Sequence, residues 1–157
     1  MSAAIALLLV TAVGFNGILV GASLDQSIKQ LPARHRIGIK AYSAYAQASD
    51  LGNAILWYAF IGLGVALITI IAAIVTFSQH IDLAQALPIY LAAGLSVLHT
   101  IATTQAAPTM FSQKQHLHDE VALSRIFNRF ERWQAIRAGL QVLTLGNLLW
   151  ALLAWIH

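Results

Sequence analysis

Several residues inside the apolar stretches of this chain carry groups that can move a proton or hold an anion. Asp50, Asn53 and Trp57 fall at i, i+3 and i+7, on one side of a helix, with Gly64 further along it. They form a polar entrance above an aromatic wall. Asp50 reads in two ways, as a carboxylate complementing the positive end of a helix or as an acid–base group. Ser96, His99 and Thr103 make a second stripe, flanked by Ala92 and Ala106. Small residues on that face turn His99 toward protein rather than lipid, where an imidazole is either an interhelical hydrogen-bonding partner or a functional group. Phe130, Trp133, Arg137, Gln141 and Thr144 share a third, narrow stripe at 3.6 residues per turn. Arg137 lies inside the apolar boundary, and either snorkels to the headgroups or pairs with Asp50 or a ligand oxyanion.

Other polar groups carry less chemistry. Gly14, Gly17 and Gly21 form a stripe in which the Gly17–Gly21 pair is expected to let helix backbones approach closely, and Asp25 continues it, so its carboxylate is expected at the mouth of the bundle, within reach of Lys29 one turn on. Arg125, Arg129 and Arg132 occupy a face of their own, read as contacting anionic lipid or water. In His116-Leu117-His118-Asp119-Glu120 the two imidazoles stand at i, i+2 and share no helical face. No metal site is assigned, and the acidic pair is read as favouring a helix N-terminus. The chain has no phosphate-cradling glycine loop, nucleophile elbow or His-Glu-x-x-His run, and with no cysteine it has neither disulfides nor thiolate chemistry.

The elements that must position these groups follow from composition. Of 157 residues 59% are hydrophobic and only 10% charged, too few to clothe a soluble core, so lipid is the expected solvent and the bilayer the first partner. Apolar stretches at about 3–24, 51–77, 84–106 and 135–156 are each long enough to cross about 30 Å of hydrocarbon. The first has no basic leader and is retained as a span. The expected fold is an all-α, polytopic, antiparallel bundle of four transmembrane helices in a single domain. Lys29, Arg34, Arg36 and Lys40 sit in the connection at about 25–40, and Lys114, Arg125, Arg129 and Arg132 in that at about 114–132, whereas 78–87 contains no Lys or Arg. The positive-inside rule then puts the charged connections in the cytoplasm and both termini outside, as in a bacterial inner membrane. The basic residues are topology determinants and not a nucleic-acid surface.

Gly21-Ala22-Ser23 running to Leu31-Pro32-Ala33-Arg34, with Phe130-x-x-Trp133-x-x-x-Arg137 entering the last span, resembles the anthrone oxygenase family of small four-helix membrane proteins over most of the chain. Two places depart from the family's pattern: Pro108 is followed by Thr109-Met110 where relatives often place asparagine, and Gln134 stands where many have histidine. The resemblance implies oxygenation of a polycyclic phenolic ketone without metal, flavin or other cofactor. It would need a base, donors for an enolate oxygen and an apolar cavity. His99 or Asp50 would be the base, Arg137 and Trp133 would hold the oxyanion, and Asn53, Trp57, Tyr42, Tyr45 and Phe130 would line the place of a flat substrate. Two non-catalytic readings stand beside it, a carrier of a lipophilic small molecule and an accessory membrane subunit. A second copy of the chain is an admissible partner in each.

Overall fold

The structure, a computed structural model, is described for residues 3–49 and 53–155, with residues 53–55 in backbone only. It is all-helical there: α1 Ala3–Asp25, a π-helical turn Gln26–Gln30, α2 Leu31–Ile37, α3 Ile39–Ser49, α4 Asn53–Ser78, α5 Leu83–Phe111, a 3-10 turn Ser112–Gln115 and α6 Glu120–Ala154. Four helices are long and apolar enough to cross a membrane, the first of them running on through the π-turn and α2. They form an antiparallel bundle in which α5 and α6 share the longest seam, while α1 packs on α4 and α6.

A spacing of alternating three and four residues places the buried side chains. Along α1 they are Ile5, Leu9, Ala12, Asn16, Leu19 and Ser23; along α6 they include Phe127, Phe130, Gln134, Gln141, Thr144, Leu148 and Ala151. This is the repeat of helices crossing at a shallow left-handed angle. The opposite faces are apolar too and meet lipid: Leu7, Val10, Phe60, Leu67, Ile74, Leu143 and Leu153 are exposed. Hydroxyls inside the spans bond to carbonyls one turn back on their own helices, as Thr69 to Val65, Thr76 to Ala72 and Thr103 to His99, at 2.7 to 2.9 Å. They are thereby tolerated in hydrocarbon without a partner helix.

Two expectations are revised. The connections read at about 25–40 and 114–132 are mostly helical, and α6, at 35 residues, is about 52 Å long and outruns the hydrocarbon by several turns. It starts at Glu120 because Asp119 Oδ1 accepts from the Val121 and Ala122 N–H groups, both at 3.0 Å. The Ala122 N–H above all holds the Asp119 carboxyl below its ordinary range. The π-turn directly precedes Pro32, which has no N–H to continue the ladder; the Leu31 N–H reaches back to Gln26 instead. Finally, Gly14, Gly17 and Gly21 do not bring backbones together within the chain, since a Cβ at any of them would meet nothing within 4 Å. The buried face of α1 is the Leu/Asn/Ser face. Gly38, at φ 86°, does need to be glycine, because there the chain turns from α2 into α3.

Candidate functional site

The core is layered. Toward the termini Ile5, Leu9, Ala12, Ala72, Ile89, Ala92, Leu148 and Ala151 form one apolar cluster. At the opposite, charged end Leu31, Tyr42, Ala46, Ala106, Met110, Leu123, Phe127 and Phe130 form another. Between them lies a polar seam built on α6.

The seam begins at Gln134, which is fully buried and donates from Nε2 to the Ser23 carbonyl of α1 at 3.3 Å. Arg137 Nη1 donates to Gln134 Oε1 at 3.0 Å. One turn further, Asn16 Nδ2 donates to the Gln141 backbone carbonyl at 3.0 Å, and Gln141 Nε2 stands 2.8 Å from His99 Nε2. Thr69 Oγ1, whose proton goes to the Val65 carbonyl, can accept from Ser96 Oγ at 3.2 Å, which closes the seam between α4 and α5. All four spans are thus joined through side chains that would be costly to expose to lipid.

Two atoms in this network have no hydrogen-bond partner among the described residues although both are buried: Gln141 Oε1 and Arg137 Nε. The contact between Gln141 and His99 admits two arrangements. Either the amide donates to an unprotonated Nε2, or the amide is turned over and its oxygen accepts from Nε2–H. In each, one end of the Gln141 amide remains unpaired. An orphaned polar group in a low-dielectric interior costs about 1–3 kcal/mol, which sets these two atoms apart from the satisfied remainder of the seam.

The structure brings some of the sequence-read residues together and separates others. His99 and Arg137 belong to the seam. Phe130 and Tyr42 are buried directly beside it, the Tyr42 ring meeting Phe127 edge-on at 4.9 Å, and Trp133 packs against that cluster half-buried. Tyr45 stands 6.1 Å from Tyr42 but is 47% exposed on the outside of α3. Trp57 is 56% exposed and faces away from the seam, as an aromatic anchor at the bilayer surface would. Asp50 lies outside the described residues, as does the side chain of Asn53. Asp25 makes the helix-end pair with Lys29 at 2.6 Å and also accepts from Gln30 Nε2 at 2.6 Å. No group of three or more His, Asp or Glu side chains is gathered in metal-binding range among the described residues.

Asn16 and Gln134 were missed as site residues from the sequence. An asparagine amid Leu, Val and Phe on α1 was a usable signal, because an uncharged amide in a span is kept where it has a partner. Arg34 was read only as a topology charge. It is 5% exposed and its Nη2 donates to Glu131 at 2.7 Å and to Asn128 at 3.0 Å, fastening α2 to α6. Comparison of the chain with protein families, with characterised proteins and with solved structures gives no match.

Proposed function

We propose that this protein lies in a bacterial inner membrane with its charged end in the cytoplasm, and binds a flat, lipophilic phenolic ketone at His99, Gln141 and Arg137 for cofactor-independent oxygenation. The observation that carries this reading is the unpaired end of the Gln141 amide, one helical turn from the unpaired Arg137 Nε and bonded to His99. A ketone flanked by hydroxyls supplies acceptor and donor to such a pair. The resemblance to anthrone oxygenases supports the same ligand class.

In the arrangement with Gln141 Oε1 accepting from His99 Nε2–H, the other imidazole nitrogen keeps its lone pair and serves as base. It removes a proton from the acidic CH2 opposite the ketone. The enolate oxygen is met by the Gln141 amide N–H and by Arg137 Nε–H, donors that matter more as charge develops. The electron-rich carbon adds dioxygen, the peroxide takes up the proton, and loss of water with the second C–H proton leaves a new carbonyl. One O2 is consumed and one H2O released per quinone formed.

Oxygen uptake by the purified protein with an anthrone, in the presence of a metal chelator, tests this directly. Wild type should consume oxygen, His99→Ala should be slower by about 10²-fold or more, and Arg137→Gln should lower turnover more than binding. No uptake by wild type, or undiminished uptake in both variants, overturns the oxygenase reading. One observation favours a non-catalytic role instead: Asn16, His99 and Gln141 tie α1, α5 and α6 together. In an accessory subunit His99→Ala would change stability only, and mass spectrometry would find no aromatic compound co-purifying.

A further inference from the structure

At the charged end, outside the polar seam, α2 and α3 lean on the first turns of α6 and leave a cleft of about 550 Å³ between them. Arg34, His35, Ile39, Glu120, Arg125 and Asn128 are among its walls. Its charges are unevenly paired. Glu131, beside the cleft, is taken by Arg34 at 2.7 Å, and Glu120 by Lys40 at 3.0 Å. Arg125 makes a long 3.4 Å bond from Nε to the Val121 carbonyl of its own helix and acts through space on the Asp119 carboxylate, without an ion pair among the described residues. Arg34 holds its acceptors through Nη2, while its Nη1 is buried with no partner among the described residues.

A guanidinium fixed in place by Glu131 and Asn128, with an unused nitrogen, is preorganised for an oxyanion, and a second guanidinium, in no ion pair among the described residues, shares the cleft. Planar forks of this kind suit phosphate oxygens. The first turns of α6 also project beyond the hydrocarbon into the layer where lipid phosphates are concentrated. From this pairing of a buried, half-used Arg34 with an Arg125 that makes no ion pair among the described residues, in one cleft, we infer a binding site for a phosphate group, carried either by a phospholipid or by a soluble phosphate ester. The Glu120 carboxylate on the same wall favours headgroups that add a hydroxyl or an amine to the phosphate, which can donate to it. This inference is independent of the chemistry proposed at His99.

The test uses the full chain purified in a neutral detergent, with two probes, dioctanoyl phosphatidylglycerol and glycerol 3-phosphate, read by native mass spectrometry and by thermal shift. Wild type should bind at least one probe with one-to-one stoichiometry. Arg125→Glu should weaken it by about tenfold or more, the loss of a hydrogen bond to a charged partner. Arg132→Glu, the same charge change at an exposed position of α6 outside the cleft, should leave it within about twofold. Arg34→Lys keeps the charge but not the fork, and should weaken binding with the helical circular dichroism retained. Saturation by the lipid alone identifies a headgroup as the source, and saturation by glycerol 3-phosphate identifies a soluble ester. Binding of neither probe overturns the site. So does an equal loss in Arg125→Glu and Arg132→Glu, because then only diffuse surface charge is at work.

Discussion

At the scale of single residues, the seam depends on which atom each amide uses. Asn16 donates to the backbone carbonyl of Gln141, which also serves the α6 ladder, so its removal strands no group that lacks another partner. Asn16→Leu, with the same number and branching of side-chain heavy atoms, should therefore cost only about 0.5–1.5 kcal/mol in denaturant titrations of the detergent-solubilised protein. A loss above about 3 kcal/mol would show that Asn16 has a larger role than this bond. Position 99 was legible in the sequence, since the small residues around it turn His99 inward. Its partner was half legible: the stripe from Phe130 to Thr144 includes Gln141, but periodicity says which residues share a face and nothing about which atoms pair across it. Trp57 shows the limit of the same logic. In a span apolar all round, residues at i, i+3 and i+7 share a side that can be turned to lipid as readily as to protein, and the structure leaves Trp57 exposed on the outside of the bundle.

At the scale of elements, the short helices α2 and α3 are fastened to α6 by two ion pairs of different quality. Arg34 and Glu131 meet with the arginine side chain almost wholly buried, whereas Lys40 and Glu120 are both largely exposed. Breaking the first leaves a buried guanidinium undercompensated, and breaking the second leaves two solvated groups. Glu131→Gln should accordingly destabilise the charged end by about 1–3 kcal/mol, and Glu120→Gln by less than about 0.5 kcal/mol. Amide exchange across 31–49 provides the comparison, and equal effects would contradict the assignment. These helices were hard to read from sequence because their mixed polar and basic composition looks like a loop when judged by hydropathy. The signals present were Pro32, Gly38 and the Asp119 cap, which mark where helices begin and end rather than where the membrane does.

At the scale of the whole molecule, four spans were legible because hydrocarbon demands about twenty apolar residues of every crossing helix, and no local detail overrides that. Orientation rests on the asymmetry of basic residues, with the cluster at one end and the turn 79–82 free of Lys and Arg at the other. A cysteine introduced at Gln79, on a chain that has none of its own, should react with a membrane-impermeant maleimide added outside intact cells. One at Lys114 should react only after the membrane is opened. The reverse pattern would invert the topology and place the phosphate cleft on the outer surface.

The apolar cluster of Ile5, Leu9, Ile89, Leu148 and their neighbours caps the seam on the side of the termini. The polar seam is therefore separated from that end by apolar side chains. In the reaction proposed above, the proton taken up at His99 passes to the peroxide and leaves in the water formed, so a turnover would carry no net charge through the membrane. Such a turnover should then be insensitive to voltage, although a charge crossing fully would be worth about 2.3 kcal/mol at 100 mV. A cell can thus keep a histidine and an arginine in the middle of an energised membrane without discharging it.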